Sequence, residues 1–395
     1  MDFLSEAKAL SSELSALRRR LHQKPELAFQ EFETSQFVAE ELDKLGFSVV
    51  RGIGKTGVSG YLRGDAPKPL IMMRFDMDAL PMQEESGAEY ASEMPGVMHA
   101  CGHDAHTAIG ITMARLLVKF KKDLGASILL VFQPAEETGQ GAKAMLEDGL
   151  FSEHKPDYAL GVHVWNGLPT GTFVIKPGEL MAGSGMFKIR IIGKGGHAAL
   201  PHLAIDPIAA GAQMVSALQN IAAQSMNPLD SGVVGVTMFH SGSASNIIPE
   251  QAELEGTIRF FSLEMWELLR QRIRRIVSST ASAYGCKVEI TLKPSTPPVI
   301  NNPVAALAAQ KALSKIMPDA LLLTDYRTMG SEDMAFFLDK VPGVFVFVGS
   351  GGNKLKEAFP HHHPCFDIDE SVLPSACALL LQTVSELTKT GKKEN

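Results

Sequence analysis

Long apolar stretches are missing from this chain of 395 residues. No run approaches the ~18 residues a membrane helix needs, so no span is expected. Positive charge is also in short supply: 37 Lys and Arg stand against 44 Asp and Glu, a formal net charge of −7. Tracking a nucleic-acid backbone requires a basic face, so no nucleic-acid partner is expected, although a local pocket could still take an acidic substrate. There are four cysteines (Cys101, Cys286, Cys365, Cys377), far apart and without a C-x-x-C pair. Neither a disulfide framework nor a dithiol redox centre is expected from them. The opening MDFLSEAKALSSELSALRRRLHQ has early acidic residues and no apolar h-region, so no signal peptide is expected. These absences point to a soluble protein in a reduced, cytoplasmic setting.

What is present describes a globular chain of about two domains. Leu10, Leu14, Leu17 and Leu21 recur at helical spacing, Pro25 interrupts, and Phe37, Val38, Leu42 and Leu45 resume up to a stop at Gly46. PLIMMRFDMDAL, ASILLVFQPAEE, DYALGVHV and GVFVFVGS read as buried strands separated by helical stretches, the mark of an α/β domain with a mostly parallel central sheet. Between 183 and 296 the order becomes βαββαβ, a ferredoxin-like α+β pattern. The expected organisation is one α/β domain (1–182 and 297–395) interrupted by a smaller one (183–296).

Chemistry-bearing residues gather where the apolar strands end. One strand runs into Asp76 and Asp78, another into Glu136 and Glu137, and a third into His163; the fourth leads to HHHPCF at 361–366. VMHACGHDAHTA (97–108) adds Cys101, His99, His103, Asp104 and His106 ahead of a helix. Singly, each has a bland reading as a turn cap, a solvated acidic face, a core histidine or a surface tract. Together at one sheet edge they form the donor set of a transition-metal site. Cys101 as a nucleophile, with His99, His103 or His106 as base, would leave the acidic strand ends and the distal histidines without a task.

The blocks LRRRLHQKPELAFQEFETS, RFDMDALPMQE, MHACGHDAHTA, FQPAEETGQGAKAM, GKGGHAALPH, SASNIIPEQAELEGTIRFF, MGSEDMAFF and HHHPCFDIDE follow one another along nearly the whole chain. Together they resemble the M20 metallopeptidase family, in its branch of amidohydrolases that cleave N-acyl amino acids. The resemblance implies that Cys101, His103, Glu137, His163 and His362 bind one or two divalent ions per subunit (Zn, Mn, Co or Ni), with the Cys101 thiolate as bridge. It implies Glu136 as general base and Asp78 as the residue that steadies the site. Asp76 stands where the wider family has a metal-binding histidine, a gap that His103 would fill. The inserted domain would mediate a homodimer or higher homo-oligomer. His197 would reach into a second copy's site to hold the substrate carbonyl, while Asn246 and Arg259 engage the substrate. Ser331 reads as a helix cap; Glu332 receives no role, and His22 and His202 read as structural. The implied substrate is a small N-acyl amino acid or short peptide. Within the same family, dipeptidase, carboxypeptidase and N-acetyl-diaminopimelate deacetylase activities are the alternatives. A non-catalytic metal-binding relative is the reading outside enzymology.

Overall fold

A computed structural model of the chain describes residues 1–65, 69–352 and 358–390. The chain divides into two compact units. One comprises Met1–Leu180, Ile300–Arg327 and the residues from Asp333 onward; the other comprises Met181–Val299 and Thr328–Glu332. The return of 328–332 to the second unit had no signal in the sequence.

The first unit is built on an eight-stranded sheet. Its strands are β1 (Ser48–Ile53), β2 (Gly57–Leu62), β3 (Leu70–Asp76), β4 (Ser127–Gln133), β5 (Tyr158–Trp165), β6 (Thr172–Val174), β7 (Leu321–Leu323) and β8 (Gly343–Gly349). Their order is β1-β2-β4-β3-β5-β8-β6-β7. The middle four, β4-β3-β5-β8, run parallel, whereas β1–β2, β2–β4 and β8–β6 pair antiparallel. Every residue of β3, β4 and β8 is buried, which is why LIMMRFD, SILLVFQ and GVFVFVG read as continuous rather than alternating apolar runs. Helices Ser11–Gln23, His103–Leu124 and Leu373–Thr390 contribute Leu14, Leu17, Ile109, Leu117, Leu379 and Val384 to the same core as the sheet. Gly46 ends the helix Phe32–Lys44 region with φ +81°. From β3 the chain goes first to β4 on one side and later to β5 on the other. Such a reversal opens a crevice beyond the carboxyl ends of the strands.

The second unit carries a four-stranded antiparallel sheet, Gly183–Ile192, Gly232–Ser241, Gln251–Phe260 and Lys287–Thr296, with helices Pro207–Gln219 and Leu263–Ala283 in βαββαβ order. Here burial alternates along the strands: Phe187, Ile189 and Ile191 are buried while Met186, Lys188 and Arg190 are exposed. The buried face packs with Met214 and Leu218 of one helix and Trp266, Leu269, Ile273 and Val277 of the other. Ser262 caps the longer helix by accepting the Met265 N–H at 3.1 Å.

One expectation is corrected. The helix expected to start under a Ser331 cap runs Met334–Lys340 behind Asp333, without a side-chain cap bond. The Asp333 carboxylate is committed elsewhere, to Arg74 Nη2 (3.1 Å), Gln133 Nε2 (2.6 Å) and the Ala142 N–H (2.9 Å).

Candidate metal centre

Four pieces of the first unit supply the cluster: the residues beyond β3, those beyond β4, the end of β5, and the segment 361–366. Cys101 and His103 join them at the start of helix His103–Leu124. Gly102 between them has φ +86°, and a Cβ there would lie 2.5 Å from Val164 Cγ2 on β5. Only glycine lets the chain turn this close to the strand and present both neighbours. The segment carrying His362 is tied to the same place, since the His362 N–H donates to the Ala100 carbonyl at 2.8 Å.

Donor atoms of Cys101, His103 and His163 lie within 4.8 Å of one another, as do those of Cys101, Glu137 and His362, and those of His103, Glu136 and Glu137. Cys101 thus belongs to two of these groups. The backbone carbonyls orient both imidazoles. His103 Nδ1 donates to the Asp78 carbonyl (2.8 Å), and His163 Nδ1 to the Val164 carbonyl (2.6 Å). His163 Nε2, left with its lone pair, lies 3.6 Å from the Cys101 sulfur, while, against burial, Asp76 and Cys101 hold His103 well above the ordinary imidazole range. Asp78 works through its carboxylate as well: Oδ1 accepts the Glu136 N–H at 2.9 Å and Oδ2 the Glu137 N–H at 3.0 Å. It therefore fixes the two glutamates without being a donor to the cluster's centre.

The cluster has the chemistry of a cation site. His103 Nε2 and Glu137 Oε1 are buried without hydrogen-bond partners, 3.9 Å apart. An unsatisfied buried polar atom costs about 1–3 kcal/mol, and one cation would satisfy both. Burial and the Glu137 carboxylate push the Cys101 thiol well above its ordinary range, against the pull of His103. A nucleophilic cysteine needs the opposite shift, so the thiolate here calls for a cation beside it. His163 is driven well below the usual imidazole range by burial and by His106, which keeps it neutral as a ligand must be. His362, 3.3 Å from Glu137 Oε2, is raised by that carboxylate.

Asp76 and His106 support the cluster from behind. His106 is saturated, with Nδ1 on Asp76 Oδ1 (2.5 Å) and Nε2 accepting the Val164 N–H (2.9 Å). Asp76 is fully buried and also bonds Arg74 Nη1 at 2.6 Å. Burial works against its charge, but Arg74, His103 and His106 hold it well below the ordinary carboxylate range. A second buried network anchors the helix start. Asp104 bonds Arg18 Nε at 2.7 Å and His22 Nδ1 at 2.8 Å, while His22 Nε2 faces Glu84 at 3.2 Å. Arg18 was not anticipated as a partner, although it falls on the helical stripe of Leu14, Leu17 and Leu21; His22, expected to be structural, shares that stripe.

The remaining expected site residues lie in the second unit. His197 is exposed and sits opposite Ile247, and the Ala198 N–H donates to the Asn246 carbonyl at 3.0 Å, so this pair is brought together. His197 Nδ1 accepts the Ala199 N–H at 3.0 Å, which places its own proton on Nε2. Arg259 lies on strand Gln251–Phe260, half-buried, and lines a cavity of about 460 Å³ with Lys188, Glu255 and Lys293.

Known proteins resemble the chain along nearly its whole length. Residues 72–386 match Peptidase family M20/M25/M40. The chain is 40% identical to Thermostable carboxypeptidase 2 of Saccharolobus solfataricus, over 93% of this chain and 94% of that protein. It is 39% identical to IAA-amino acid hydrolase ILR1-like 4 of Arabidopsis thaliana, over 96% and 88%. The crystal structure of the Bacillus subtilis YXEP protein, a dinuclear metal binding peptidase, superposes with a TM-score of 0.85 at 35% identity, covering 97% of this chain and 99% of that one. The chain belongs to peptidase family M20/M25/M40 and is a metal-dependent amidohydrolase of that family.

Proposed function

We propose that this enzyme hydrolyses the amide bond of N-acyl amino acids, releasing a carboxylic acid and a free amino acid. The observation that carries the reading is the pair Glu136–Glu137, clamped through successive amides by one carboxylate. Glu137, beside His103 and His362, serves as ligand with Cys101, His103, His163 and His362. Glu136 is left to move protons. A divalent ion held by these residues would supply Lewis acidity, making water easier to deprotonate and a carbonyl easier to attack. Glu136 takes the proton of the attacking water and delivers it to the leaving nitrogen, a contribution of ~10²–10⁴-fold. His197, with its Nε2 proton, suits an oxyanion donor, and the planar fork of Arg259 suits the free carboxylate of an amino acid; Asn246 would add a further polar contact.

The inserted unit would pair with a second copy. Its outer strand Gly232–Ser241 exposes Val233, Met238 and Phe239 on an edge that a partner can cover. The Saccharolobus relative keeps a carboxypeptidase in play. Apo-protein reconstituted separately with Zn, Mn, Co and Ni, and assayed on hippurate, N-acetyl amino acids, N-acetyl-diaminopimelate and dipeptides, tests the assignment. Turnover confined to peptides would replace it with a peptidase. A metal-loaded protein inert on the whole panel would place its substrate outside these classes.

A further inference from the structure

Outside the donor cluster, a buried carboxylate grips the loop that carries the glutamate pair. Glu31 precedes helix Phe32–Lys44 and is fully buried. Its Oε1 accepts the N–H of Phe29 at 3.0 Å and of Ala135 at 2.9 Å, and its Oε2 accepts the Thr56 hydroxyl at 2.5 Å. Phe29 and Ala135 are both left-handed, with φ of +60° and +53°. Residues with a Cβ stay in that conformation only where the surroundings over-determine it. One carboxylate oxygen thus holds two strained positions that lie more than a hundred residues apart, which its two lone pairs allow.

Ala135 is the residue immediately before Glu136. Three successive amides, those of Ala135, Glu136 and Glu137, end on two carboxylates: the first on Glu31, the other two on Asp78. Asp78 fixes where the glutamate amides sit. The Ala135 N–H fixes the plane of the preceding peptide, and so the direction from which the chain enters the pair. Without that grip Ala135 relaxes toward an ordinary φ, and the swing is passed to both glutamate side chains.

We propose that Glu31 is a positioning residue for the reaction, acting through Ala135 to aim Glu136 at the attacking water and Glu137 at the metal. It touches neither group itself, and the proposal rests on the hydrolase reading above.

The test uses full-length Glu31→Ala, Glu31→Asp and Glu31→Gln, with Thr56→Val as control. Circular dichroism and a thermal melt check folding, steady-state kinetics give kcat and KM, and competition with a chromogenic chelator gives Zn affinity. Glu31→Asp keeps the charge but withdraws the oxygen by one methylene, so it serves if Glu31→Ala does not fold. A misplacement of ~1 Å can lower the rate ~10²-fold, so Glu31→Ala and Glu31→Asp should lose about one to two orders of magnitude in kcat, with KM within about threefold. Zn affinity should fall ~10-fold or more. Glu31→Gln, whose amide oxygen can still accept both N–H groups, should recover most of both. Thr56→Val should lower the melting temperature and leave kcat within about twofold, because it leaves the Ala135 bond intact. Folded Glu31→Asp with wild-type kcat and Zn affinity would overturn the proposal. So would Thr56→Val losing kcat in the same proportion to its destabilisation. If the wild type turned over no substrate, the hydrolase reading would fail separately and Zn affinity alone would decide the role of Glu31.

Discussion

His22 makes the stability of the first unit depend on pH in a defined direction. Its ring lies between two carboxylates, with Nδ1 at 2.8 Å from Asp104 and Nε2 at 3.2 Å from Glu84. The other ionisable neighbours are Arg18, 3.5 Å from Nδ1, with Tyr90 and His99 packed at ring-centroid distances of 5.7 and 6.3 Å. Burial favours the neutral ring, and Arg18 does too, but Asp104 and Glu84 prevail and raise His22 from 6.5 to about 9. A folded-state pKa above the unfolded value means the stabilisation is complete below about pH 6.5 and is lost as pH rises through about 9. At 1.36 kcal/mol per pKa unit the loss is on the order of 3 kcal/mol. For a unit of this size that corresponds to ~6 °C of melting temperature. The assay is a pair of melts, wild type and His22→Gln, at pH 6.5 and 9.5 with matched metal content. The wild type's advantage should be large at the lower pH and mostly gone at the higher. Parallel decline of both proteins would refute the reasoning, as would an NMR titration placing His22 near 6.5.

Glu136→Ala should lower kcat by ~10²–10⁴-fold while metal content, read by elemental analysis, stays near normal; an active variant would remove Glu136 from proton transfer. Cys101→Ser should bind less metal, since a hydroxyl is a poorer soft donor than a thiolate. Full occupancy with no activity would bring the nucleophile back. Mixed inactive Glu136→Ala and His197→Ala proteins should regain activity in proportion to hybrid dimers. No recovery under conditions where size-exclusion chromatography shows subunit exchange would place His197 within its own chain or outside the reaction.

Much of the fold was legible because the decisive strands are buried on both faces. LIMMRFD, SILLVFQ and GVFVFVG announce themselves as unbroken apolar runs, and the donor residues follow directly at their ends. β1 and β2 were missed: SVVRGI is largely exposed and GVSGYL is rich in glycine, so neither carries a strong period. Their antiparallel pairing depends on contacts with β4 that local patterning does not encode. Among candidate site residues, the strand ends and the family resemblance pointed to the donors and to Asp78, but not to the other groups that hold them. Glu31, Arg74 and Asp333 received no role from the sequence; burial and partners far along the chain give them their work. Spacing alone does not separate His106 from His103; the family resemblance implied His103 as the ligand, and in the structure both nitrogens of His106 are occupied.

The candidate donors Cys101, His103, Glu137 and His163 precede the inserted unit, whereas His362 comes about 200 residues after His163. At 5–20 residues per second a ribosome takes roughly 10–40 s to cover that interval. During it, the newborn polypeptide carries a thiol and two imidazoles that have no final partner, and the second unit is being made meanwhile. With His362 as a ligand, the full donor set would exist only once the inserted unit has been made.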